Sequence, residues 1–174
     1  MPDYYVALVK EYLELQGFFV KTETKYPILG KDTLGRSKKN WGDIDIIATK
    51  ASPNSDTDIL VAEVKAETQT AKTIKEIANQ KFNNNFVTDK LTEIIGQKAF
   101  KKYLFCWSCK SEDRQVANKM GIMVKSYSEI IDEMLNIIKN KEGWSYEKDF
   151  PNLMLLQYLN DKGYLTKPKK SKYY

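Results

Sequence analysis

Residues 41–68 read WGDIDIIATKASPNSDTDILVAEVKAET, two runs of β-branched and apolar residues on either side of a polar, proline-containing turn. The pattern predicts a β-hairpin, yet Asp43, Asp45, Glu63 and Lys65 stand where a core strand is ordinarily apolar. Alternation puts Asp43 and Asp45 on one face with Ile47, and Ile44, Ile46 and Ala48 on the other. In the second strand Val61, Glu63 and Lys65 share a face, while Leu60, Ala62, Val64 and Ala66 point away. A five-residue loop over 52–56, within the usual range for hairpins, pairs 51 with 57, 45 with 63 and 43 with 65. In that register the Asp45 and Glu63 Cβ atoms stand about 5 Å apart, with Lys65 and Asp43 one step along. A slip of one residue would separate them.

The elements around the hairpin supply a layered core. Residues 3–16 space Val6, Val9, Leu13 and two tyrosine rings as on one helix face, with Asp3 as N-cap and Gly17 as stop. FFVKTETKY, ending before Pro27, predicts a strand, and a Gly- and Lys-rich loop follows to residue 42. From Thr70 to Phe100 the pattern is helical in two pieces around the asparagines at 83–85. KKYLFCWS is a strand, SEDRQVANKMG a short helix with Ser111 as N-cap and Gly121 as stop, and IMVKS a strand; two further helices close the chain. The order α-β-β-β-α-α-β-α-β-α-α predicts an α/β fold, a mixed sheet of about five strands flanked by helices on both faces. Residues 1–142 are expected to form this core, 143–165 a helical C-terminal extension packed on it, and 166–174 a basic, flexible tail.

Composition removes much chemistry. The chain has no histidine, so imidazole bases and histidine metal sites do not occur, and any metal must be held mainly by oxygen. Cys106 and Cys109 have the spacing of half a zinc site, but no second half exists, so they read as two small residues in and after a strand. Two carboxylates that meet on adjacent strands repel unless a cation lies between them. Lys65 neutralises one. A divalent ion neutralises both, and Asp45 and Glu63, with the Val64 carbonyl in reach, suit Mg²⁺ or Mn²⁺. A hard cation beside a lysine is equipment for hydrolysing a phosphodiester. The competing reading is a set of ordinary cross-strand ion pairs on an exposed hairpin; helices covering both faces of the sheet would instead make the charged stripe a cleft.

The net charge of +5 is unevenly spread. The last nine residues, TKPKKSKYY, hold Lys167, Lys169, Lys170 and Lys172 and no acid, and GKDTLGRSKKNWG at 30–42 holds Arg36, Lys38 and Lys39. Such segments attract phosphate backbones in a salt-sensitive way. No signal peptide or membrane span is read at any position, so a cytoplasmic protein without membrane association is expected.

On these residues the sequence resembles the PD-(D/E)xK nuclease superfamily, the restriction-endonuclease-like fold. The likeness lies in DIIA with Asp45 as the motif aspartate, then VAEVKA with Glu63 and Lys65 as the E-x-K, after a helix and a first strand. In outline it extends over residues 3–140, and Holliday-junction resolvases and Mrr-like restriction endonucleases are the branches it is most similar to. The proline of the motif is absent; Gly42-Asp43-Ile44 precedes Asp45. The resemblance implies a Mg²⁺-dependent DNA endonuclease, commonly a homodimer, with no organic cofactor. Asp45 and Glu63 would bind the metal and Lys65 would assist the nucleophile. Gln80 matches a glutamine that several branches place beside the site, and Asp43 and Glu11 are auxiliary candidates. The alternatives are a nucleic-acid-binding module that keeps the fold without catalysis, and a protein-interaction domain whose hairpin charges face solvent.

Overall fold

The structure, a computed structural model, describes residues 3–31, 37–51, 57–96, 99–139 and 150–164. Residues Met1–Ile130 form one compact unit and Ile131–Tyr174 another. The first contains helix α1 (Tyr4–Leu15), strands β1 (Phe19–Lys31), β2 (Ser37–Ala51) and β3 (Thr57–Lys65), helices α2 (Ala71–Ile77) and α3 (Asn85–Ile95), strand β4 (Lys101–Cys106), helix α4 (Ser111–Lys119) and strand β5 (Ile122–Ser126). A π-helical turn, Ala78–Phe82, continues α2. Helix α5 (Tyr127–Lys139) begins in the first unit, and the second holds the rest of it and α6 (Pro151–Asp161).

The five strands lie in chain order in one mixed sheet. β1, β2 and β3 are antiparallel neighbours, and β4 and β5 run parallel to β3. The meander arises because β1–β2 and β2–β3 are joined directly, whereas parallel strands need a crossover, which α2 with α3 and then α4 supply. The α/β architecture expected from the sequence, with its mixed five-stranded sheet and flanking helices, is the one observed.

One face of the sheet carries Ile47, Val61, Leu104 and Ile122, buried in a single cluster with Ile74, Phe82, Val87, Leu91 and Ala117 from α2 to α4. On the other side α1 buries Val6, Val9, Tyr12 and Leu13. Its Tyr12 ring meets Phe105 of β4 edge-on, and its Tyr5 ring stacks on Tyr127. α1 starts where Asp3 Oδ1 accepts the amides of Tyr5 and Val6, and it stops before Gly17 at φ 85°.

Two boundaries differ from those expected. Pro27 does not end β1; it pairs with Trp41, and β1 and β2 stay bonded out to Lys31↔Ser37, so much of the predicted loop at 30–42 is β-ribbon. An edge strand tolerates the proline because only one of its sides is bonded. Ser111 is the first residue of α4 and not its cap, a position held by Lys110 without a side-chain bond. Among the described residues no helix is long and apolar enough to cross a membrane.

Candidate active site

Asp45 stands where two ladders open. Between β1 and β2 the bonded pairs pass from Thr22↔Ile46 to Thr24↔Ile44 and omit 23 with 45; Glu23, opposite Asp45, has φ 52°. Between β2 and β3 the pairing holds the expected register, Ala51 with Thr57, but ends at Ile46↔Ala62. The loop residues 52–56 themselves lie outside the described residues. One step before Asp45 and Glu63 would meet as a ladder pair, the strands part, and 43 does not meet 65. The Asp45 carboxylate fills the gap: its Oδ2 accepts the Val64 amide at 2.7 Å. A short carboxylate replacing a lost backbone acceptor is the usual way such an amide is satisfied. Alternation is broken here too, since Tyr26 and Ile44 pack in one cluster with Ile47 and Val61.

Glu63 lies on the face covered by α2 and α3 and is only 1% exposed. An isolated buried carboxylate costs several kcal/mol, and two ammonium groups offset that cost. Lys65 Nζ is 3.1 Å from Glu63 Oε2, and Lys81 Nζ is 3.3 Å from Oε1. The contact to Lys81 has the distance of an ion pair but not the direction of a hydrogen bond, and Oε1 is left without a hydrogen-bond partner among the described residues. Burial, then the neighbouring Asp45, hold the Glu63 carboxyl above the usual glutamate range, against the pull of Lys81 and Lys65. Lys81 is tied to Asp43 as well, donating to its backbone carbonyl and, at 3.0 Å, to Oδ1. That hydrogen bond lowers the Asp43 carboxyl below its usual range. Burial opposes the charge on Lys81, yet Glu63 and Asp43 together keep its ammonium above the ordinary lysine value. Behind β3, Tyr127 donates its hydroxyl to the Lys65 carbonyl and fixes the end of the strand.

The structure thus brings Asp45, Val64, Glu63, Lys65 and Asp43 to one place. Asp43 is bonded to Lys81 and not paired across the sheet with Lys65, because the ladder has ended before those two positions. Gln80 is exposed on the π-helical turn, and its neighbour Lys81 makes the contact with Glu63. Lys81 was legible in principle. Ile74, Ala78 and Phe82 form the apolar stripe of that helix, and a lysine three residues after Ala78 falls beside the stripe. Glu11 is buried on α1, and the hydroxyl of the residue after it, Tyr12, accepts from Lys125. Lys38 and Lys39 lie in β2 opposite Gly30 and Leu29, while Arg36 and Lys167, Lys169, Lys170 and Lys172 lie outside the described residues. Cys106 is buried at the end of β4, and burial, with Cys109 beside it, pushes its thiol up to about 12, far from reactive.

The donor set fits a hard divalent cation. Among the described residues no three His, Cys, Asp or Glu side chains converge as a cage, and Mg²⁺ does not require one: it commonly takes one or two carboxylates and keeps several waters. Asp45 and Glu63 are such a pair, and the buried Glu63 Oε1 without a hydrogen-bond donor is the kind of orphaned oxygen a cation satisfies.

The fold is of the α/β class with a mixed sheet. No protein-family model matches the chain, and no curated protein does. Solved structures do. A repair endonuclease from Pyrococcus abyssi is 15% identical over 72% of this chain and 46% of that one, with a TM-score of 0.39. EndoMS in complex with dsDNA is 18% identical over 59% of this chain and 36% of that one, with a TM-score of 0.33. EndoMS in its apo form is 15% identical over 72% and 47%, with a TM-score of 0.35. The chain spans less than half the length of these structures, and at these scores its own residues must carry any functional reading.

Proposed function

We propose that the chain is a metal-dependent endonuclease that hydrolyses DNA phosphodiester bonds. One observation carries the reading: a buried glutamate, Glu63, keeps its Oε1 without a hydrogen bond among the described residues while Lys65 Nζ stands 3.1 Å from its Oε2, and it lies close enough to Asp45 of the adjoining strand to feel that charge. Asp45 and Glu63 would hold Mg²⁺ or Mn²⁺, with the Val64 carbonyl beside them. When bound, such an ion polarises a phosphoryl oxygen and acidifies water. Lys65, beside Glu63, would orient the attacking water and balance the charge that grows on the phosphate. The Asp45 bond to the Val64 amide keeps the two strand ends in fixed relation, and the Tyr127 bond to the Lys65 carbonyl ties the end of β3 to the start of α5. The lysines of the ribbon and tail would supply salt-sensitive affinity for the phosphate backbone, and a homodimer would present two such sites to a duplex.

Purified protein with Mg²⁺ or Mn²⁺ is expected to nick or cut plasmid or branched DNA. Asp45→Ala, Glu63→Ala and Lys65→Ala should each lower the rate by about 10²-fold or more, and full activity in all three would refute the assignment.

A further inference from the structure

We propose that Lys81 is the internal counter-ion of the acidic site, neutralising Glu63 while no divalent cation is bound and withdrawing when one binds. The inference rests on the reading of Glu63 as a metal ligand.

The geometry is specific. Lys81 lies on the π-helical turn between buried Ala78 and Phe82, and its side chain is 20% exposed, whereas the adjoining Asn79 and Gln80 face solvent. Wide turns of this kind recur at functional sites. Its ammonium approaches the one Glu63 oxygen that makes no hydrogen bond, and it approaches without bonding that oxygen. Its hydrogen bonds go to Asp43, through both carbonyl and carboxylate, and the Asp43 side chain is 61% exposed. Lys81 therefore balances Glu63 by charge alone while tethered on its solvent side, an arrangement that leaves the lone pairs of Oε1 open.

Charge counting leads to the same place. Asp43, Asp45 and Glu63 carry three negative charges, and Lys65 and Lys81 carry two positive ones. With the Lys81 head beside Glu63 the five groups sum to one negative charge; once it withdraws onto Asp43 that pair cancels, and Asp45 and Glu63 are the two negative charges a divalent cation balances, with Lys65 the remaining ammonium. A fixed ammonium beside Oε1 repels an incoming cation, and in a partly desolvated site that repulsion is large. The four-carbon lysine stem lets the head move without backbone change, and Asp43 offers it a partner at the surface, where a phosphate would also meet it.

Calorimetric titration of Mn²⁺ into metal-free protein at about pH 8, well above the ordinary carboxylate range, tests this with wild type, Lys81→Met and Lys81→Gln. Both variants are expected to bind Mn²⁺ at least about tenfold more tightly than wild type. In metal-free form both should unfold at a lower temperature than wild type, a gap that closes on saturation with Mn²⁺. Equal or weaker binding in the variants overturns the proposal, as does an absence of binding in all three proteins. Should neither variant fold, the lysine ammonium correlations of the wild type decide. The Lys81 signal is expected to shift on saturation with Mg²⁺ as its head leaves Glu63 for Asp43 alone, and an unchanged signal overturns the proposal. Wild type that binds Mn²⁺ more weakly than the variants yet never cuts DNA upholds this role of Lys81 and removes the endonuclease reading. Cleavage with equal affinities does the reverse.

Discussion

Gly42 shows how narrowly the site is built. It is buried opposite Tyr26, and a Cβ added to it would stand 2.5 Å from Tyr26 Cζ, closer than any two such atoms approach. The ring lies across the β2 backbone immediately before Asp43, and burial holds its hydroxyl above the usual tyrosine range, with Lys81 pulling the other way. Gly42→Ala is therefore expected to destabilise the fold by about 1–3 kcal/mol, read from the midpoint of urea unfolding. Tyr26→Leu in the same chain should remove most of that penalty, because the two positions are in direct contact. The sequence carries this glycine in plain view, within the segment that resembles the motif, but its reason is a ring from another strand. No periodicity reveals that. Glu63 was legible as an acid, and the helical stripe puts Lys81 beside the buried face, but their meeting was not legible: Lys81 follows Glu63 by eighteen positions and reaches it only because a helix folds back over the sheet.

Between elements, one ion pair has a clear pH signature. Arg114 of α4 grips Glu129 in α5 with two parallel bonds, Nη1 to Oε1 at 2.9 Å and Nη2 to Oε2 at 2.6 Å, and the Ser126 amide at the end of β5 adds a third at 2.7 Å. The Arg114 bond, opposed by burial and helped by Ser126, lowers the Glu129 carboxyl to about 2 from an ordinary 4.5. A carboxyl lowered by folding stabilises the folded chain above its unfolded value and loses that contribution as acid protonates it. Unfolding free energy should thus drop between pH 4.5 and about 2, and Glu129→Gln should flatten that part of the curve, measured by denaturant unfolding at stepped pH. The groups are 29% and 43% exposed, so solvent screening keeps the effect small. At this scale the sequence served well: element order, the first helix with its Asp3 cap, and the β2–β3 register all came from spacing and turn chemistry. It misjudged where β1 ends, since proline is a stop signal in a central strand and a tolerated guest at an edge.

Across the molecule, a ligand that binds only the folded chain raises the stability of the whole cooperative unit. At a hundred times its dissociation constant the gain is about 2.7 kcal/mol. Mn²⁺ is expected to raise the melting temperature of wild type in a concentration-dependent way and to leave Glu63→Gln unmoved; a shift of equal size in both would place the cation elsewhere. The architecture that permits this was readable from hydrophobic pattern. The opening of the ladders beside Asp45 was not, because it depends on the backbone of Glu23 and on a carboxylate standing in for a missing carbonyl. That opening makes the protein vulnerable in a particular manner. Past the Ile46–Ala62 pair this sheet stays ajar, and a substitution or a strand-like molecule that zipped the seam shut would pull Asp45 off the Val64 amide with every acid and every lysine still in place.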